Sequence, residues 1–174
     1  MNSNIGKTRT KETNKTVVFM VKYLGQCGCG CREKITRKIE LKETQTLDDL
    51  HEAIIYKSFG WFDPHLYSFY FDNKPYSKNR NMEYTFNPEP DDSPIDFFGD
   101  FGELHSTKTK LKDLTLQKNQ KFLFVFDFGD DHHFSVRVVG FGNVQKGLKY
   151  PLVLEVKGNA PEQYPEPDEE PDSL

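Results

Sequence analysis

A cluster of carboxylates and imidazoles in the C-terminal half has the greatest potential for chemistry in this sequence. The stretch FVFDFGDDHHFSV, residues 124–136, begins and ends with apolar residues typical of β-strands. Its polar centre contains Asp127, Asp130, Asp131, His132 and His133. A carboxylate beside a histidine can orient a general base or bind a divalent cation. The same pattern is also typical of a hairpin tip with solvated acids and one ion pair between the strands.

The alternation of apolar residues predicts how this hairpin pairs. The two apolar faces must coincide, because a slip of one residue would expose both of them. The shortest loop that satisfies this condition is 129–131, which pairs Phe126 with Phe134 and places Asp127 opposite His133. We therefore expect Asp127 and His133 to be in contact. The structural interpretation is favoured over a catalytic one, because no nucleophile or oxyanion donor is evident in this stretch.

Three cysteines alternate with glycine in the stretch QCGCGC, at Cys27, Cys29 and Cys31. In an extended chain their thiols would share one face, and thiolates bind zinc or copper. The stronger zinc signature is a pair of C-x₂-C units, so a fourth ligand would have to be a histidine, an acid or water. The favoured alternative is a reduced loop in the cytosol, with a metal site as the second interpretation.

Length and charge set the class of protein. The chain has 174 residues, a formal net charge of -4 and a pI near 5.7, so no general basic surface for nucleic acid is indicated. We expect residues 1–15 to be disordered, 16–160 to form a single domain, and 161–174 to be an acidic, proline-rich tail. No segment has the ~20 apolar residues of a membrane span, and the first fifteen residues lack a secretory signal. A cytoplasmic location without membrane contact is therefore predicted.

The order of the predicted elements indicates an α+β fold. Strand patterns cover 16–24, 32–41 and 65–73, and a short strand is expected at 83–86. The clearest helix is TLDDLHEAIIYKSFG, capped by Thr46 and ended by Gly60. We predict an antiparallel-rich mixed sheet with one main helix packed on a face, an α/β roll, and a long C-terminal β-hairpin.

Four motifs occur together in a fixed order: TLDDLHEAI, FGWFDPHLYSFYF with Tyr76 after it, FDFGDD, and YP followed by KGNAPEQYP. In this combination, over about residues 17 to 165, the chain resembles the Ri-plasmid ORF-three-like family, which includes passenger proteins of some insertion elements. The resemblance implies an α+β roll and no established reaction. Family positions matched here are Leu47, Leu50, His51, Gly60, Trp61, His65, Leu66, Phe69, Asp127, Gly129 and Asp130.

The chain departs from the family pattern at two places. Family members often have tryptophan where this chain has His132. A proline-rich segment ending in Trp-Arg usually follows the first strand, where QCGCGCREKI stands here. The resemblance therefore implies no family-wide metal role for the cysteine loop.

The function that the sequence favours is a non-catalytic module that binds a protein, with the acidic segments available for a basic partner. Its candidate binding residues are His51, Trp61, His65, Asp127, Asp130, Asp131, His132 and His133. For His51, His65 and Trp61 the structural alternatives are a helix-edge hydrogen bond, a braced turn and core packing. No cofactor is identified.

Two other functions stay open. A metal-dependent hydrolase or nuclease would use the acids and histidines of 127–133. A nucleic-acid-associated protein would use the basic residues around 32–42. Strand alternation is evidence against the nucleic-acid alternative. It would place Lys34 and Lys38 on one face of the strand and Arg37 on the other, so the cations would not form one basic stripe.

Overall fold

Eight β-strands and one main helix are present in the computed structural model, which describes residues 14–26, 28, 34–62, 64–87 and 104–164. The fold class is α+β, as predicted. The strands are β1 (Lys15–Gln26), β2 (Thr36–Lys42), β3 (Tyr67–Tyr70), β4 (Glu83–Thr85), β5 (His105–Ser106), β6 (Lys121–Phe126), β7 (His132–Asn143) and β8 (Leu152–Lys157). Helix α1 (Leu47–Glu52) continues as a π-helical segment, Ala53–Phe59, and short 3₁₀ turns cover Arg80–Met82 and Leu111–Asp113.

The strands form one mixed sheet in the order β5-β4-β3-β6-β7-β1-β2-β8. The β4–β5 pair is parallel, and the other neighbouring pairs are antiparallel. The first strand is a long interior strand of 12 residues, and its pairing with β7 contains two register shifts. The helix packs on one face of this sheet, and the opposite face has no helix among the described residues.

The sequence signals at both ends of the helix operate as predicted. The Thr46 hydroxyl accepts a hydrogen bond from the Asp49 backbone N–H at 3.2 Å. The Asp49 carboxylate in turn accepts from the Thr46 backbone N–H at 2.8 Å, which completes a capping box. At the other end Gly60 adopts a φ of 73°, a left-handed conformation that glycine reaches without steric cost.

Aromatic rings fill the space between the helix and the sheet. The phenylalanines at alternate positions of β6 are fully buried, as is Phe134 on β7. Phe69 on β3 stacks on Phe124 with ring centroids 4.6 Å apart, and Phe124 contacts Phe134 at 5.3 Å. Each buried ring of this kind removes a large apolar area from water, so this layer is the principal source of hydrophobic stabilisation.

The predicted hairpin register was wrong by two residues. Phe124 pairs with Phe134, and His133 lies opposite Val125 rather than Asp127. Because side chains alternate with a period of two, this shift keeps the phenylalanines on the core face and only lengthens the loop. The loop covers 127–131. The Asp127 carboxylate contacts His65 and the loop amides of Gly129 and Asp130 instead of His133.

Among the described lysines and arginines, Arg37 is the buried one. Arg37 has only 2% of its surface exposed and shares the inward face of β2 with Ile39. Its guanidinium donates to backbone carbonyls of Ser58 at 2.8 Å, Thr36 at 2.9 Å, Lys157 at 2.9 Å and Gly158 at 3.1 Å. It also lies over the ring of Phe59, 4.6 Å from the centroid. One side chain thereby ties β2, β8 and the end of the helix together.

The structure leaves several sequence predictions outside its described residues. Cys27, Cys29 and Cys31 are outside, as are residues 1–13 and 165–174. The metal site at the cysteines and the disorder of the two termini therefore stay predictions. Within the described ranges, no helix combines the length and the apolar character that crossing a membrane requires.

Candidate functional site

A pocket of about 230 Å³ opens between the helix and the start of β3. We call it the helix pocket. It is lined by Asp48, His51, Glu52, Tyr56, Pro64, His65, Tyr67 and Phe86. These residues supply two carboxylates, two imidazoles and three aromatic rings, and no lysine or arginine is among them.

One wall of the pocket is formed by side chains on the same side of the helix. Asp48, Glu52 and Tyr56 are four residues apart, so they project from the same side of the helix. The opposite wall comes from Tyr67, whose hydroxyl donates to the Asp48 carboxylate at 2.9 Å. Burial, followed by the charge of Asp48, raises the pKa of Tyr67, so this hydroxyl keeps its proton. Phe86 stacks on the Tyr67 ring at 5.1 Å and extends the apolar wall.

His51 is a buried, neutral wall of the pocket. Its ring lies parallel to that of Tyr67, with centroids 3.8 Å apart and 5° between the planes. Only 6% of the residue is exposed, and its Nε2 atom has no hydrogen-bond partner among the described residues. Burial lowers the pKa of His51 to about 3, because the charged imidazolium would be desolvated. An unpaired buried polar atom is uncommon in native proteins, so the unpaired Nε2 of His51 distinguishes this residue from an ordinary core histidine.

His65 connects the helix pocket to the hairpin loop. Its Nε2 lies 3.3 Å from Oδ2 of Asp127 and 2.9 Å from the hydroxyl of Tyr164. The other oxygen of Asp127 accepts from the backbone N–H of Gly129 at 3.0 Å. Asp127 has a φ of 57°, and its own N–H donates to the Leu66 carbonyl at 3.0 Å. His51 and His65 thus share one pocket, with Asp127 in contact with His65.

Trp61 and His132 belong to the core beside this pocket. Their rings are 4.6 Å apart. The Trp61 indole donates to the Pro161 carbonyl at 2.9 Å, which anchors the beginning of the C-terminal segment. Nδ1 of His132 bonds the Tyr23 hydroxyl at 2.9 Å, and burial lowers the pKa of His132. These contacts pack both side chains into the core, and Nε2 of His132, like that of His51, has no hydrogen-bond partner among the described residues.

Asp131 and His133 form a separate group at the hairpin. Nε2 of His133 lies 2.9 Å from Oδ1 of Asp131, and the Tyr76 hydroxyl donates to the same oxygen at 2.5 Å. Although burial alone raises it, the hydrogen bonds from Tyr76 and His133 leave the pKa of Asp131 below its usual value. The predicted Asp127–His133 pair is therefore replaced by two pairs, His65–Asp127 and Asp131–His133. Asp130 contributes a backbone N–H to the Asp127 carboxylate at 3.3 Å.

A metal site is not assembled by the described side chains. Within the ranges that the structure covers, no three His, Cys, Asp or Glu residues converge as ligands of one ion. The hydrolase alternative requires convergent ligands from several segments. The described ion pairs between acids and histidines are His65–Asp127 and Asp131–His133.

Sequence reasoning identified His51 and His65 and missed most of the pocket around them. Asp48, Glu52 and Tyr56 had a usable signal, because their spacing of four defines a polar and aromatic stripe next to the apolar one. Phe86 had no such signal. Its place beside Tyr67 depends on the pairing of β3 with β4, which joins distant parts of the chain.

Comparisons with known proteins agree with the predicted resemblance. The family described as plasmid pRiA4b ORF-3-like protein matches residues 29–164 of this chain, which confirms the predicted family. Among solved structures, the crystal structure of a protein of unknown function from Methanosarcina mazei Go1 is similar, with a TM-score of 0.62 and 28% sequence identity. The match covers 85% of this chain and 72% of that chain. No curated protein matches the chain.

Proposed function

The chain belongs to the plasmid pRiA4b ORF-3-like family, and we propose that it is a non-catalytic binding module whose helix pocket accepts a cationic side chain of a basic protein segment. The observation that carries the proposal is the composition of the pocket. Carboxylates of Asp48 and Glu52 stand beside aromatic rings, and the lining residues include no lysine or arginine.

The geometry of the pocket suits a guanidinium or ammonium group. A cation within about 6 Å of a tyrosine or phenylalanine ring is attracted by the electrons of the ring face. The rings of Tyr56 and Phe86 line the pocket, and the exposed Glu52 supplies a charged partner. A volume of about 230 Å³ accommodates the end of one long side chain rather than a folded domain.

The charge of the chain supports the same choice of partner. Six acids and no Lys or Arg lie between residues 160 and 174. Without this segment the chain, whose net charge is -4, would carry a net positive charge. An acidic segment that follows Tyr164, next to His65 at the pocket, would raise the local concentration of a basic partner and its association rate.

Catalysis receives less support from the same residues. A general base works best with a pKa near the working pH, whereas burial holds the pKa of His51 near 3. The described lining of the pocket contains no Ser, Cys or Lys nucleophile. Tyr67 is held in its protonated form by burial and by Asp48.

We further propose that the domain is an antiparallel-rich α/β roll with a long C-terminal hairpin and that it works in the cytoplasm. The roll is supported by the single parallel pair, β4–β5, and by the placement of the helix on one face. The cytoplasm is supported by the cysteine content, because three cysteines do not make the disulfide framework of a small secreted domain.

The proposal is tested with a short peptide of alternating glycine and arginine, measured by calorimetry and by NMR shifts of the aromatic ring protons. We expect binding that shifts the ring signals of Tyr56 and Tyr67. Glu52→Gln should weaken binding roughly threefold to fivefold, because an exposed ion pair contributes up to about 1 kcal/mol.

Two controls make this result specific. Asp113→Asn removes an equally exposed carboxylate that does not line the pocket, and binding should not change. The same peptide with citrulline in place of arginine keeps the shape and loses the charge, so it should bind much more weakly. Equal binding of the citrulline peptide, or equal losses in the two variants, would contradict the proposal.

A further inference from the structure

The open face of the sheet carries five cations in two neighbouring rows, although the net charge of the chain is negative. On this face, opposite the helix, the strand registers align two neighbouring rows of side chains. One row, across β6, β7, β1, β2 and β8, consists of Lys121, Arg137, Met20, Lys38 and Glu155. The adjacent row consists of Leu123, Ser135, Lys22, Thr36 and Lys157.

These cations are accessible and largely uncompensated. Lys22, Lys121, Arg137 and Lys157 are exposed, and Lys38 is half-buried. Among the described residues, the acid in ion-pair contact with this set is Glu155, which pairs with Lys157 and also interacts with Lys38. Lys121 lies directly opposite Arg137 across the β6–β7 pair. Like charges at directly opposed positions destabilise a sheet, so this arrangement costs stability unless an anion neutralises it.

A groove of about 320 Å³ runs through this array, and we call it the basic groove. It is lined by Met20, Lys22, Lys34, Thr36, Lys121, Ser135, Arg137 and Lys157. Five of the eight are cationic, two carry hydroxyl groups, and none is aromatic. Such a lining suits an extended anion with many acceptor oxygens, because ammonium, guanidinium and hydroxyl groups all donate hydrogen bonds.

The length of the array defines the class of ligand. From β6 to β8 the cations extend over four strand intervals, or roughly 19 Å at about 4.8 Å per interval. A positively charged groove can follow the backbone of single-stranded nucleic acid, so several consecutive phosphates would face this length. A small phosphorylated metabolite would meet only part of it.

We propose that the basic groove binds the phosphodiester backbone of nucleic acid, at a site separate from the helix pocket. Recognition is independent of base sequence, because phosphate contacts carry no sequence information and the lining has no aromatic ring on which a base could stack. Binding also relieves the repulsion between Lys121 and Arg137.

The test uses the full chain and fluorescence anisotropy with a labelled single-stranded DNA of mixed sequence and an RNA of the same sequence. We expect both to bind with similar affinity at low salt, and the affinity to fall linearly with the logarithm of salt concentration. The double variant Lys121→Gln/Arg137→Gln should bind roughly tenfold more weakly. Its salt slope should be shallower by about 1.4, because each lost contact to a single strand releases about 0.7 counterion fewer.

A matched double variant controls for charge alone. Lys110→Gln/Lys112→Gln removes two exposed cations from the helix side of the domain, and affinity should be unchanged. The Lys121/Arg137 variant should also unfold no earlier than the parent, because it loses a like-charge pair.

Three outcomes would overturn the proposal. The first is no binding of either oligonucleotide at low salt. The second is an equal loss of affinity in the two double variants. The third is displacement of the DNA by poly-glutamate at an equal concentration of charge, which would assign the groove to an acidic polypeptide instead.

Discussion

Replacing His51 with phenylalanine should make the folded state less sensitive to acid. The folded protein holds the pKa of His51 near 3, whereas an unfolded chain has the ordinary value of about 6.5. As pH falls below about 6.5, the unfolded chain takes up a proton that the folded protein refuses, so stability falls with pH in this window. Each pH unit removes up to about 1.4 kcal/mol, and lowering the pH to about 4.5 removes roughly 2–3 kcal/mol.

The measurement is urea-induced unfolding of the parent and His51→Phe at about pH 7.5 and about pH 4.5. The fluorescence of the single tryptophan, buried Trp61, reports the transition. Phenylalanine keeps an aromatic ring against Tyr67 and removes the unpaired Nε2, so the variant should be no less stable at the higher pH. At the lower pH it should be more stable than the parent by roughly 2 kcal/mol.

Other titrating groups cancel in this comparison, because both proteins contain them. This includes His132, whose pKa burial also lowers. An identical loss of stability in the two proteins between the two pH values would refute the reasoning. It would mean that His51 reaches solvent or a partner when protonated, and that the pocket wall is not the buried, neutral ring described above.

Two further predictions concern the buried cation and the hairpin loop. Arg37→Lys should lower the free energy of unfolding by roughly 2–4 kcal/mol, because a lysine cannot reproduce the planar guanidinium that donates to four backbone carbonyls. The measurement is urea-induced unfolding, and a loss under about 0.5 kcal/mol would contradict this prediction. Adding Mg²⁺ or Mn²⁺ should leave the melting temperature unchanged, whereas a saturable rise that Asp127→Asn abolishes would favour the metal-dependent hydrolase. A rise with Zn²⁺ alone that is lost when Cys27, Cys29 and Cys31 are changed to serine would instead locate a metal at the cysteines.

The helix was predictable because its signals are local. Thr46, Asp49 and Gly60 each act within one turn of the chain, so the cap and the stop follow from residue types at fixed spacing. The inward face of β2 was predictable for a similar reason, since strand alternation places Arg37 with Ile39. Alternation does not reveal, however, that the carbonyls of other elements surround the guanidinium.

The hairpin loop was not predictable from the shortest-loop rule. Asp127 and Asp131 both adopt positive φ values, of 57° and 54°, which non-glycine residues seldom do outside turns. The Asp127 carboxylate accepts from the amides of Gly129 and Asp130, and this local bonding stabilises a five-residue loop over a three-residue one. The same bonding turns Asp127 toward His65. The error in register therefore explains why the wrong histidine was assigned to Asp127.

Net charge does not describe the local charge in this protein, because the sheet separates charges by face. Alternation sends Lys22 and Arg137 to the open face, while the carboxylates of Asp48 and Glu52 stay on the helix side. A sum over the chain then averages two surfaces of opposite character, and the acids after residue 160 make the average negative. At physiological ionic strength, charges more than about 8 Å apart are largely screened from one another. A ligand at either face would therefore respond to the local charge, which is why we propose partners of opposite sign for the two sites.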